Sequence, residues 1–136
     1  MKTILDIEIK NMIKLAVQAR ARSYSPYSKY PVGACLKGDS GAYYLGCNIE
    51  NAAFSPGICA ERTALYKAIS EGEKAFEAIA VVNDREGEAT PCGVCRQALA
   101  EFCRPDMPVI CANRSGAYRV FALEELLPHA FGAEQL

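Results

Sequence analysis

Along the first part of the chain, apolar residues return every three or four positions: Ile9, Met12, Ile13, Ala16 and Ala19, with Lys10, Lys14 and Gln18 between them. That period is one stripe of an α-helix and predicts an amphipathic helix over about Ile4–Arg22. The turn-forming stretch Ser23-Tyr-Ser-Pro-Tyr-Ser28 breaks the pattern, and two strand-like runs follow, about Val32–Lys37 and Tyr43–Asn48. Gly38-Asp-Ser-Gly41 between them predicts a hairpin. A helical stripe returns in Ala60, Ala64, Leu65, Ala68 and Ile69, giving a second helix over Cys59–Glu71 that stops at Gly72. Ala78–Asn83 suits a buried strand, and Pro91-Cys-Gly-Val-Cys95 opens a third helix reaching about Phe102. Val109–Ala112 and Tyr118–Phe121 predict two more strands around Asn113-Arg-Ser-Gly116, before a short helix near Leu123–Leu127. The order α-ββ-α-β-α-β-β-α predicts an α/β fold in which a five-stranded mixed sheet is covered by helices. Proline and glycine fall at intervals typical of short loops, without linker or repeat, so residues 1–136 are expected to form one domain.

Composition narrows the partners. A chain of 136 residues with 51% hydrophobic content can bury a real core. Fifteen basic against sixteen acidic residues give a formal charge of −1, which offers no electrostatic footprint for a phosphate backbone. Polynucleotide binding is therefore not expected from the charge. No window approaches the roughly 18 to 20 uninterrupted apolar residues of a membrane span. Asp6, Glu8 and Lys10 interrupt the N-terminal stretch where a signal peptide would be apolar. The expectation is a cytoplasmic protein without a membrane partner.

Seven cysteines, at 35, 47, 59, 92, 95, 103 and 111, make an odd set that suits metal binding better than a disulfide framework. Any single reduced cysteine also serves as a small buried hydrophobe. Three of them stand out by position. Cys59 is at the start of the second helix, and Cys92 and Cys95 are at the start of the third. Unsatisfied N–H groups and the positive end of the helix dipole favour thiolates there. Two such ends converging would form a three-thiolate pocket suited to zinc, with the fourth tetrahedral position left for water. A closed structural site completed by Cys47, Cys103 or His129 is the alternative. Arg62, three residues after Cys59 and so on nearly the same helix face, is expected to donate to the sulfurs and offset the net −1 of Zn²⁺ with three thiolates.

Cys59-Ala-Glu61 followed by Pro91-Cys-Gly-Val-Cys95 fits the general zinc-deaminase signature. Together with Pro26-Tyr-Ser-Lys-Tyr-Pro-Val-Gly-Ala34, Gly46-Cys-Asn-Ile-Glu-Asn-Ala52, Cys59-Ala-Glu-Arg-Thr-Ala64, Pro91-Cys-Gly-Val-Cys-Arg-Gln97 and Glu124-Glu-Leu-Leu-Pro128, it makes nearly the whole chain resemble the small homotetrameric cytidine deaminases. The resemblance implies a three-layer α-β-α fold and one Zn²⁺ per subunit held by Cys59, Cys92 and Cys95. It implies that Asn48 and Glu50 bind the ribose hydroxyls and that Glu61 and the Ala60 backbone read the pyrimidine edge. Tyr30, where the family usually has Phe, would line the base pocket, and Phe131 would reach the base from a neighbouring subunit of a homotetramer. By their own chemistry, Asn48-Ile-Glu-Asn51 also reads as a solvated turn, and Tyr30 and Phe131 as core aromatics.

The activity implied is hydrolytic deamination of cytidine and 2′-deoxycytidine in pyrimidine salvage. A water activated on zinc would attack C4, and Glu61 would shuttle protons without ligating the metal. A polynucleotide deaminase, a zinc-stabilised interaction module and a deaminase of a related small molecule such as blasticidin are the rivals. The balanced charge opposes the first, and the Cys59-x-Glu61 carboxylate the second. Arg62 and the Asn48-x-Glu50-Asn51 run favour a nucleoside over the third.

Overall fold

The computed structural model describes residues 1–136. Its elements are α1 (Asp6–Arg20), β1 (Gly33–Gly38), β2 (Tyr43–Cys47), α2 (Ala60–Ser70), β3 (Phe76–Val82), α3 (Gly93–Phe102), β4 (Pro108–Ala112), β5 (Tyr118–Ala122) and α4 (Leu123–Leu126), with a 3₁₀ turn at Ala133–Gln135. The five strands lie in the order β2-β1-β3-β4-β5. Only β3 and β4 run parallel, the other neighbours being antiparallel, which gives the mixed sheet expected from the element order.

Strand alternation divides the core into two layers around this sheet. Ile9, Met12, Ile13 and Ala16 of α1 cover Cys35, Ala78, Ala80, Val82 and Ile110 on one face. Ala64, Leu65 and Ala68 of α2, with Leu99 of α3, cover Leu36, Ile79, Val81 and Val109 on the other. Because β3 is covered on both faces, its Ala78–Val82 part reads as a continuous apolar run rather than an alternating one. Met12, Leu65 and Leu99 have no exposed surface, and burying each such side chain contributes about 1.5–3 kcal/mol.

Two glycines set how closely the helices approach. A Cβ on Gly33 would overlap the Ala16 carbonyl and the Arg20 amide of α1, and one on Gly46 would overlap the Ala60 carbonyl and the Ala64 amide of α2. Ala34 pairs with Gly46 across the hairpin, so Gly46 faces the α2 side of the sheet. The start of α2 therefore rests directly on the backbone of β2.

Element ends differ from the sequence reading in ways the side chains explain. Leu5 is extended and α1 begins at Asp6, so the helix is shorter than Ile4–Arg22. β3 starts at Phe76, two residues before the predicted Ala78, because Glu77 interrupts the apolar run while pairing with Lys37 at 3.3 Å. Cys59 and Cys92 are N-cap residues, not first helical residues, and the last helix is a single turn.

Candidate active site

The N-termini of α2 and α3 converge. Cys59 caps α2 with extended backbone (φ −78, ψ 156), Cys92 caps α3 likewise (φ −68, ψ 167), and Cys95 lies in the first turn of α3. Their three sulfurs lie within 4.8 Å of one another, and those of Cys59 and Cys92 are 3.8 Å apart. Zn–S bonds of ~2.3 Å at tetrahedral angles place two sulfurs about 3.8 Å apart, so the donor set fits zinc in both spacing and chemistry. The candidates for a fourth protein ligand lie elsewhere. Cys47 directs its thiol to the Arg22 carbonyl at 3.4 Å, Cys103 is buried in the core at the end of α3, and His129 lines a separate depression. The cluster therefore consists of three sulfurs, with no fourth His, Cys, Asp or Glu grouped with them.

Arg62 binds two of the sulfurs: Nε donates to Cys95 at 3.4 Å and Nη2 to Cys59 at 3.5 Å. Donation from the Cys95 thiol, with help from Arg62 and Cys92, holds the Cys59 thiol down at about 5. The same contact, with burial, raises the Cys95 thiol. Burial works against the charge of Arg62, but the two sulfurs more than offset it and hold its value above the ordinary one. Elsewhere burial pushes Cys35, Cys103 and Cys111 up to about 12, as for thiols that fill a core.

Beside the sulfurs opens a cavity of about 620 Å³, whose lining includes Cys59, Ala60, Glu61 and Cys92 together with Tyr30, Asn48, Glu50 and Phe54. Glu61, in the first turn of α2, is only 5% exposed. Burial pushes its carboxyl up to about 7, and the Cys59 thiolate adds to the rise while Arg62 opposes it. A carboxyl poised there can both take and give a proton near neutral pH.

The segment carrying Asn48 and Glu50 is pinned on two sides. Tyr24 N–H donates to the Asn48 carbonyl at 3.0 Å and Glu50 N–H to the Tyr24 carbonyl at 2.8 Å, while Ile49 and Ile58 exchange both backbone bonds at 3.0 and 2.9 Å. Asn48 Nδ2 donates to the Tyr30 carbonyl at 2.8 Å, and its Oδ1 accepts from Val32 N–H at 2.9 Å and from the Ser23 hydroxyl. One Nδ2–H remains for a ligand. Glu50 Oε1 accepts from the N–H groups of Tyr27 and Ser28 at 2.9 and 3.1 Å, and Oε2 accepts from the Ser28 hydroxyl. The Ser28 hydroxyl, ahead of those backbone bonds, keeps the Glu50 carboxyl below its ordinary value. Asn48 and Glu50 are thus held by the fold, whereas Asn51 is exposed and opens a turn, its Oδ1 accepting from Ala53 N–H at 2.9 Å.

Phe131 is not brought to this cavity. It is 55% exposed and lines the separate depression of about 330 Å³ beside Leu127 and His129, with its carbonyl accepting from Gln97 Nε2 at 2.9 Å. Sequence reasoning missed Ser28, which holds Glu50, and Asn83, whose Nδ2 donates to the Tyr30 hydroxyl at 3.1 Å. A polar residue closing the apolar run of β3 was the one signal for Asn83. Arg96 donates to the Pro91 and Leu126 carbonyls, both at 2.7 Å, and so fastens the start of α3 to α4 rather than facing the sulfurs.

Comparisons with known proteins place the chain in one family. Residues 7–111 match the family model described as the cytidine and deoxycytidylate deaminase zinc-binding region. A cytidine deaminase of Sporosarcina psychrophila is 48% identical over 130 residues, covering 96% of each chain. Another from Halalkalibacterium halodurans is 48% identical over 125 residues, covering 92% of this chain and 95% of that one. The crystal structure of cytidine deaminase from Burkholderia pseudomallei superposes with a TM-score of 0.86 at 43% identity, covering 89% of this chain and 97% of that chain.

Proposed function

This chain belongs to the cytidine and deoxycytidylate deaminase family, and from that premise we propose that it hydrolyses both cytidine and 2′-deoxycytidine, releasing ammonia and serving pyrimidine salvage. Its activity is that of a cytidine deaminase, a hydrolase acting on a C–N bond. The observation that carries the finer reading is Glu61, a carboxyl buried beside three converging sulfurs and open to one cavity.

Cys59, Cys92 and Cys95 would hold one zinc ion per chain, and zinc when bound supplies a Lewis acid that acidifies water. Glu61 takes one proton from the water that attacks C4 and delivers it to N3 of the pyrimidine, then takes the second from the new C4 hydroxyl and delivers it to the departing amino group, so that C4 is left as a carbonyl. Its raised pKa suits both directions of transfer. The Ala60 backbone and Glu61 hold the pyrimidine edge, and Tyr30 packs against the ring. The free Nδ2–H of Asn48 donates to a ribose hydroxyl, and the Glu50 carboxylate accepts from one. A carboxylate at that place also repels a phosphate, which favours a nucleoside over a polynucleotide.

Residues 1–136 are read as one catalytic domain that assembles into a homotetramer. The exposure of Phe131, outside its own chain's cavity, is what supports its use by a neighbour. No helix is long and apolar enough to cross a membrane, and a cytoplasmic location is proposed. The test is one preparation purified without chelator, in which zinc per chain, loss of cytidine absorbance and ammonia release are measured together. About one zinc per chain with uridine formed is expected; zinc without turnover of cytidine or deoxycytidine would overturn the reading.

A further inference from the structure

Tyr30 lines the cavity, whereas Asn83 and Arg85 do not, and both hold Tyr30 from behind that wall. Asn83 follows β3 and is 3% exposed. A buried amide needs all its groups paired, and Asn83 achieves this with three bonds. Nδ2 donates to the Tyr30 hydroxyl at 3.1 Å and to the Gly87 carbonyl at 3.0 Å, while Oδ1 accepts from Arg85 N–H at 3.1 Å. Its backbone is fixed as well, because Arg20 Nη1 donates to the Asn83 carbonyl at 2.6 Å. On the ring itself, the Arg85 guanidinium stands 5.1 Å from the centroid, and Arg85 Nη2 donates to the Lys29 carbonyl at 2.9 Å.

We propose that Asn83 is a positioning residue for the pyrimidine, acting through the Tyr30 hydroxyl to fix the plane of the ring that packs on the base. This rests on the reading of Tyr30 as a wall of the base pocket. A phenylalanine at position 30 would present no oxygen to Asn83 and would orphan a buried N–H. Tyr30 and Asn83 are therefore coupled, and what Asn83 does for the base depends on the Tyr30 hydroxyl. The expected signature is in substrate binding, since neither residue hydrogen-bonds to the sulfurs or to Glu61.

The experiment is a double-mutant cycle with cytidine, measuring kcat and KM for the native protein, Y30F, N83A and the double variant. Losing one hydrogen bond of ordinary strength changes an equilibrium about fivefold. N83A is expected to raise KM by about that factor with kcat within about twofold. In the Y30F background the same change is expected to leave KM where Y30F alone put it. An equal rise in KM in both backgrounds would overturn the proposal, because Asn83 would then act through the Arg85 and Gly87 bonds alone. A fall in kcat at constant KM would overturn it too. If N83A does not fold, Asn83→Ser takes its place, its short hydroxyl keeping the local turn to Arg85 N–H without reaching Tyr30. Absence of cytidine turnover in the native protein would instead remove the functional reading beneath the proposal.

Discussion

Arg62 Nε donates to the sulfur of Cys95 across 3.4 Å, and this contact ties the first turn of α2 to the first turn of α3. The same guanidinium reaches Cys59 in its own helix at 3.5 Å. Three thiolates with one divalent cation sum to −1, so a fixed positive charge on the sulfurs keeps the site from becoming too electron-rich to acidify water. On the reading of this pocket as a zinc site, one side chain would both link the two helix starts and tune the charge on the sulfurs.

Replacing it should be felt first in metal retention. Arg62→Gln is expected to lower zinc affinity by roughly 10- to 100-fold, the usual cost of losing a group that supports metal ligands. Competition against a graded series of chelators, read by zinc release, measures this directly. Unchanged release would mean that the guanidinium contacts do not matter energetically.

Glu61→Gln separates proton transfer from metal binding. The amide is nearly isosteric and the carboxyl is not among the clustered sulfur ligands, so zinc content should stay near that of the native protein. Turnover should fall by at least roughly 100-fold, the lower range for loss of a general acid–base. Retained activity with full zinc would exclude Glu61 as the proton carrier.

Gly46 predicts a coupling between sheet and site. Gly46→Ala would put a methyl group into the Ala60 carbonyl and the Ala64 amide, both rigid backbone. Overpacking of this kind costs about 1–3 kcal/mol. Because the displaced turn carries Cys59 and Glu61, the unfolding midpoint and zinc retention should fall together. A lower midpoint with native zinc retention would show that the strain is absorbed away from the first turn of α2.

Much of this was legible in the chain, and the reasons differ by residue. The stripe Ile9, Met12, Ile13, Ala16, Ala19 marks the buried face of α1 because one helix covers one sheet face. The three-sulfur pocket was legible because its thiols sit where helix starts are signalled, by Cys59 before an apolar stripe and by Pro91 before Cys92. The strand order was not, since periodicity does not say which strands pair. Nor was the start of β3, where Glu77 hides the continuation of the strand behind an ion pair with Lys37. The props of the cavity were least legible. Ser28 and Asn83 act across 22 and 53 positions of sequence, and no local pattern encodes a hydrogen bond of that span.

Ser28 carries the last prediction, which concerns pH. The Glu50 carboxyl is held below its ordinary value chiefly by the Ser28 hydroxyl, with the N–H groups of Ser28 and Tyr27 adding to the effect. A carboxyl depressed in this way remains ionised, and able to accept from a ribose hydroxyl, down to lower pH than a free one, whose value is about 4.3. Substrate affinity that depends on this charge is present above the pKa and lost as pH falls through it. In the native protein, the Glu50 contribution to KM should therefore stay constant as the solution becomes mildly acidic, any change from Glu61 being common to the native protein and the Ser28 variant. Ser28→Ala removes the largest stabiliser of the charged form and lets the pKa rise, so the acid increase in KM should begin at higher pH. Zinc content must be followed in parallel, because protonation of the thiolates releases metal on the acid side. KM profiles that superimpose for the two proteins, with zinc retained in both, would mean that the Glu50 charge plays no part in holding the sugar.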